Sequence, residues 1–116
     1  MPTKPTFILR QRDGETRIVP YTPIVYTRGH EAWRLALHRE GDKRSSWIVS
    51  DPVSGYRVCR VIATYKGMPV ASGTLTLRQA QACALVDLDA LVDRVGLERF
   101  STVLHTAQNP ETVDHD

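Results

Sequence analysis

The apolar residues of this chain change period near residue 70, and that change constrains the fold more than any other feature. Up to Tyr65 they alternate: Phe7 and Leu9 with Ile8 and Arg10, then Trp33, Leu35 and Leu37 with Arg34, Ala36 and His38. Alternation places successive side chains on opposite faces of an extended strand. From Leu77 the apolar positions become Leu77, Ala80, Ala84, Leu88, Leu91 and Val95, at spacings of 3, 4, 4, 3 and 4. That is one face of a long helix. Thr76-Leu77-Arg78-Gln79 has the capping-box spacing at its start, and Gly96 suits its end. A shorter helix is predicted over 97–106, burying Leu97, Phe100 and Leu104. Strands first and helices last predict an α+β class. The expected architecture is an antiparallel meander of about four to five strands with two C-terminal helices on one face.

Within the strand region, residues 6–21 read as a hairpin closed by a two-residue Asp13-Gly14 turn, with Pro20 ending the second strand or marking an edge. Residues 22–29 are apolar and fit a strand or an extended connection. Residues 31–40 fit a strand by alternation and a helix by propensity. The polar turn GDKRSS and the alternating run SWIVS that follow favour the strand. Asp51–Gly55 is a turn, residues 56–65 alternate again, and Lys66-Gly67 with Met68-Pro69 break the pattern. Residues 1–107 are expected to form a single domain. Residues 108–116 lack apolar periodicity and read as a disordered acidic tail.

The chain has 116 residues, 41% of them hydrophobic and 24% charged. At that length roughly two-thirds of the unfolded surface can be buried, so no disulfide or metal is required. No apolar run approaches the roughly 20 residues of a membrane span. The start, Met1-Pro2-Thr3-Lys4-Pro5, lacks the apolar core of a secretory signal, so an intracellular, cytoplasmic protein is expected. Cys59 and Cys83 lie within apolar patterns and read as small buried groups. Charge is uneven. Residues 1–44 carry nine Lys/Arg against five Asp/Glu, whereas 76–116 carry three against seven.

The most patterned stretch, residues 45–67, holds Ser50-Asp51 and Ser54-Gly55. A nucleophile elbow needs G-x-S-x-G between a strand and a helix, and here Pro52 stands at the first glycine in a strand–turn–strand setting. Each of Asp51, Pro52, Ser54 and Gly55 has a turn role instead. The pattern Trp47-x-Val49-Ser50-x-x-x-Ser54-Gly55-Tyr56-x-Val58, followed by a short spacer and an Ala-rich amphipathic helix, resembles small uncharacterised proteins encoded by bacteriophages and mobile elements. The resemblance spans roughly residues 46–95. It implies a bacterial or phage origin and an accessory role, and carries no catalytic residues.

Other motifs exclude more than they assign. Gly67 to Thr74 has the wrong glycine spacing for a phosphate loop and no lysine after its second glycine. His30-Glu31-Ala32-Trp33-Arg34 departs from a zinc-protease start at Arg34, and His38, His105 and His115 form no ligand cluster by spacing. No metal, cofactor or enzymatic site is expected. Two binding readings lead, with an enzyme of unrecognised site as the remote alternative. Asp87, Asp89 and Asp93, off the apolar stripe of the long helix, predict a face for a host or phage protein, which the chain would adapt or inhibit. Alternatively Arg10, Arg12, Arg17, Arg34, Lys43 and Arg44, interleaved with Trp33, Trp47, Tyr56 and Tyr65, predict a basic sheet face for nucleic acid. Arg57 and Arg60, at odd spacing, are expected on opposite faces of their strand.

Overall fold

The structure, a computed structural model, describes residues 4–11, 13–41 and 44–108. Arg12, Lys43 and residues 109–116 lie outside the described residues, and with them most of the expected acidic tail. The order is β1 (Thr6–Arg10), β2 (Thr16–Pro20), β3 (Thr22–Arg28), β4 (Glu31–Arg39), β5 (Trp47–Ser50), β6 (Arg57–Arg60), β7 (Ile62–Tyr65), β8 (Met68–Ala71), α1 (Leu77–Val95) and α2 (Leu97–Gln108). This is an α+β fold. Strands β3–β4–β5–β6 form an antiparallel meander, while β1–β2 and β7–β8 are separate hairpins.

Period two dictates how the meander is covered. Leu35 and Leu37 of β4, Ile24 and Tyr26 of β3, and Trp47 and Val49 of β5 point to one face. There they meet Ala80, Ala84, Leu88 and Val92 of α1 and Phe100 and Leu104 of α2. The small alanines let α1 lie close to the sheet. Ala36 and His38 point to the opposite face, the one that the alternation leaves to the polar Arg34 and His38. Ala36 and His38 are buried instead, because β1–β2 lies over them with Phe7, Leu9 and Val19. The Phe7 ring packs edge-on against Tyr21 at 5.4 Å and His38 at 5.2 Å between centroids. The molecule therefore has three layers: hairpin, sheet, helices.

Several local expectations are corrected. The β1–β2 connection spans residues 11–15, not two residues. Gly14, at φ 85°, donates its amide to the Gln11 carbonyl, and Gln11 donates to Glu15, the pattern of a turn followed by a bulge. Lys66-Gly67 does not end the sheet. Both residues have positive φ and form a tight hairpin turn that pairs Tyr65 with Met68, so Met68–Ala71 is a strand. Leu77, Val95 and Leu97 are exposed at the helix ends, the buried line on α1 being Ala80–Ala84–Leu88–Val92. Ile62, which the alternating run 56–65 would place in the core, is 47% exposed, while Val61 and Ala63 are buried. Gln108 belongs to α2 rather than to a tail.

The capping box of α1 forms as expected: Gln79 N–H donates to the Thr76 hydroxyl, and the Thr76 amide donates to the Gln79 side chain. Arg39 ties the approach to this helix. Its guanidinium lies 4.2 Å from the Trp47 ring centroid and donates to the carbonyls of Ser45, Gly73 and Leu75.

The Asp51–Gly55 turn is also a docking point. Arg10 donates its backbone N–H to the Gly55 carbonyl at 2.8 Å and its Nε–H to the Ser54 carbonyl at 2.9 Å. Gly55 has φ 82°, and a β-carbon there would collide with the Ile8 carbonyl oxygen. Gly14 has a similar φ with open space around it. Gly14→Ala should cost about 1 kcal/mol of backbone strain, and Gly55→Ala clearly more because β1 must also move. Denaturant unfolding of the two variants checks this ordering.

Candidate functional site

A β-bulge decides which side chains share a surface. Ile48 pairs with Arg60, Val49 with Cys59 and Ser50 with Arg57, leaving Val58 as the extra residue. The shift turns Val58 and Cys59 toward the helix-side core and places Arg57 and Arg60 together on the hairpin side. Opposite faces were expected for these arginines, and the bulge overturns that. Both reach one carboxylate, Glu40 Oε1, at 3.1 and 3.2 Å. Arg17, brought in by the docked hairpin, donates to the Glu40 carbonyl at 2.6 Å. Arg10 lies beside them, its guanidinium 5.6 Å from the ring centroid of Tyr56, which is 58% exposed.

Three guanidiniums thus meet at Glu40, and Arg10 lies next to Tyr56, the residue before Arg57. Hydrogen bonds to backbone carbonyls orient Arg10 and Arg17 without neutralising them, and Glu40 offsets one charge. Exposed pairs of this kind contribute only about 0–1 kcal/mol each to folding, so stability alone does not account for the cluster. The fixed forks are suited to carboxylate or phosphate oxygens.

The acidic candidates are placed differently. Asp87 accepts the Ile62 backbone N–H at 2.8 Å, where β7 leaves the meander. Burial raises its pKa, an effect the Ile62 hydrogen bond opposes. Asp89 accepts from the Tyr26 hydroxyl at 2.7 Å and pairs with Arg28 at 3.3 Å, while Asp93 pairs with Arg28 at 2.5 Å. Burial, then the Asp89 hydrogen bond, keeps the Tyr26 phenol protonated to higher pH than usual. All three carboxylates therefore tie α1 to the strands, with the outer edges of Asp89 and Asp93 still in water. Of the remaining basic candidates, Arg34 is exposed on β4 across from Val25, and Arg44 sits in the loop before β5 with contacts of its own.

One Ser–His pair has hydrogen-bond geometry that a nucleophile and base require. His38 Nε2 lies 2.7 Å from the Ser50 hydroxyl, and His38 Nδ1 lies 2.8 Å from the Arg39 carbonyl. Because the carbonyl can only accept, Nδ1 carries the proton and Nε2 accepts from Ser50. Both residues are buried beneath the β1–β2 hairpin, at 2% and 0% exposure, with Ser50 wholly covered. Asp51, next in the chain, faces elsewhere. It accepts from the Val53 amide, the Ser54 amide and hydroxyl, and Gln108 Nε2. Among the described residues no group of three or more His, Cys, Asp or Glu side chains could hold a metal ion. No described helix is long and apolar enough to cross a membrane. Cys59 and Cys83 are free and half-buried, and burial pushes the Cys59 thiol up to about 12.

Sequence reasoning missed Glu40 and the pairing of Arg57 with Arg60. The signal was present in Arg57-Val58-Cys59-Arg60, where two apolar residues in succession break the alternation and mark a bulge. No known protein family, curated protein or solved structure matches this chain.

Burial holds the His38 imidazole below its ordinary pKa despite the Arg39 carbonyl, and Arg57 and Arg17 push the same way. The unfolded chain therefore takes up a proton near pH 6.5 that the folded chain refuses, and stability falls as pH drops below about 6.5. Unfolding free energies measured from about pH 7.5 down to pH 5 should show this loss. His38→Leu combined with Ser50→Ala, which removes both partners, should flatten the slope.

Proposed function

We propose that this protein is a small non-enzymatic accessory protein that acts through protein–protein interaction, and that its contact surface is the arginine face. One observation carries the reading: Arg17, Arg57 and Arg60 converge on Glu40, with Arg10 and Tyr56 alongside. Arginine and tyrosine are enriched at interface centres, while lysine is depleted. The chain as a whole carries twelve arginines and three lysines. A surface of net positive charge fits an acidic partner protein, as an adaptor or inhibitor would meet it. The resemblance of the hairpin to phage and mobile-element proteins agrees with an accessory role.

The acidic residues of α1 support this reading less well than the arginines, because Asp87, Asp89 and Asp93 are engaged within the fold. A second reading, nucleic-acid binding, is favoured by the Arg10 guanidinium over the exposed Tyr56 ring, a pair able to stack a base and hold a phosphate. Arg17 belongs to the same surface.

The double reversal Arg57→Glu/Arg60→Glu discriminates well because both side chains are exposed and their pairs add little stability. The thermal midpoint should move by only a few degrees. Tagged protein returned to its native host should retain a defined acidic protein, and the double variant should lose it. Retention unchanged by the reversal would sink the arginine-face reading. In a mobility-shift assay, single-stranded nucleic acid should bind with a log–log salt slope of about −2 if some three phosphates are engaged. No shift at low salt removes the nucleic-acid reading.

A further inference from the structure

We propose that the cleft between the Asp51–Gly55 turn, β6 and the two helices seats one large aliphatic side chain of an acidic partner segment, with carboxylates of that segment meeting Arg57 and Arg99. This inference rests on the protein-partner reading above and specifies the chemistry of that partner. The cleft has a volume of about 410 Å³, and Val58, Leu91, Val95, Phe100, Val103 and Leu104 form its apolar lining. That volume lies within the usual range for pockets that bury an apolar group.

Apolar surface is left uncovered at the mouth. Val103 is 59% exposed and Tyr56 58%, although Phe100 and Leu104 beneath are part of the core. Arg57 borders the cleft at the edge strand β6 with its guanidinium held on Glu40, and Arg99 lines it from α2. Arg99 is exposed and has no carboxylate partner among the described residues, while Arg57 shares Glu40 with Arg60. The one carboxylate in the lining, Asp51, is buried, and its oxygens are taken by Val53, Ser54 and Gln108. The cleft therefore offers a greasy floor with a cation from each of two elements. A free acyl chain would bring a single carboxylate. A peptide with an apolar side chain between acidic neighbours matches both arginines. Tyr56 and Arg57 also belong to the arginine face, so anchor and charge contacts form one continuous surface.

Short polyglutamate peptides with a single central leucine or alanine, labelled for fluorescence anisotropy, test the proposal on the full chain. The leucine peptide should bind about tenfold more tightly than the alanine peptide, the contribution of one buried leucine. Val103→Glu, at an exposed position that should leave the thermal midpoint unchanged, should abolish that preference, and Arg99→Glu should weaken both peptides. Equal binding of the two peptides overturns the cleft as an anchor site. In that case, loss of both in Arg57→Glu/Arg60→Glu leaves the arginine-face reading standing. No binding of either peptide at low salt overturns both.

Discussion

The strands β4 and β5 are buried on both faces, and the rest of the molecule follows from that constraint. Residues 35–38 and 47–50 are all buried, although their side chains alternate between faces. Such a strand pair needs two covers. The helices provide one, through the alanine and leucine line of α1. The β1–β2 hairpin provides the other, over Ala36 and His38. An isolated two-stranded hairpin is marginal in water, so β1–β2 depends on the sheet for its stability. Phe7, Leu9 and Val19 supply roughly 1.5–3 kcal/mol each when fully buried, against the entropy of ordering the segment. The bonds from Arg10 to the 51–55 turn and from Arg17 to Glu40 fix where it sits.

Surface chemistry is a consequence of that docking. The hairpin contributes Arg10 and Arg17, which are distant in sequence from Arg57 and Arg60. The bulge after Val49 turns the latter two onto the same side. Neither event alone produces the cluster around Glu40. The Asp51–Gly55 turn joins the two, because it receives β1 on its backbone and leads through Tyr56 into Arg57. A stretch that reads as a simple reversal of the chain is thus also the point where the layers meet.

How much of this the residues disclosed depends on the range of the interactions. Helix α1 was readable to the residue, since its capping box, period and terminal glycine are local signals. So was the α+β order, from the change of period. The hairpin cover was not, because Arg34-Ala36-His38 reads as a polar face unless another element is known to lie on it. His38 became a core residue only through Phe7, some thirty positions away. The strand Met68–Ala71 was hidden by Pro69, which an edge position tolerates. For the site, Arg10 and Arg17 were identified from the sequence. The pairing of Arg57 with Arg60 required a register shift, and Asp89 and Asp93 were engaged by Arg28, some sixty positions earlier.

The β1–β2 hairpin is a docked layer of the fold rather than a loose arm, and only in that place does Arg17 join Arg57 and Arg60 at Glu40. Amide hydrogen exchange reports on this directly. The Arg10 amide, bonded to Gly55, and the β1–β2 ladder amides should exchange slowly, in the same class as β4 and β5. Rapid exchange across β1 and β2 while β4 and β5 stay protected would contradict it.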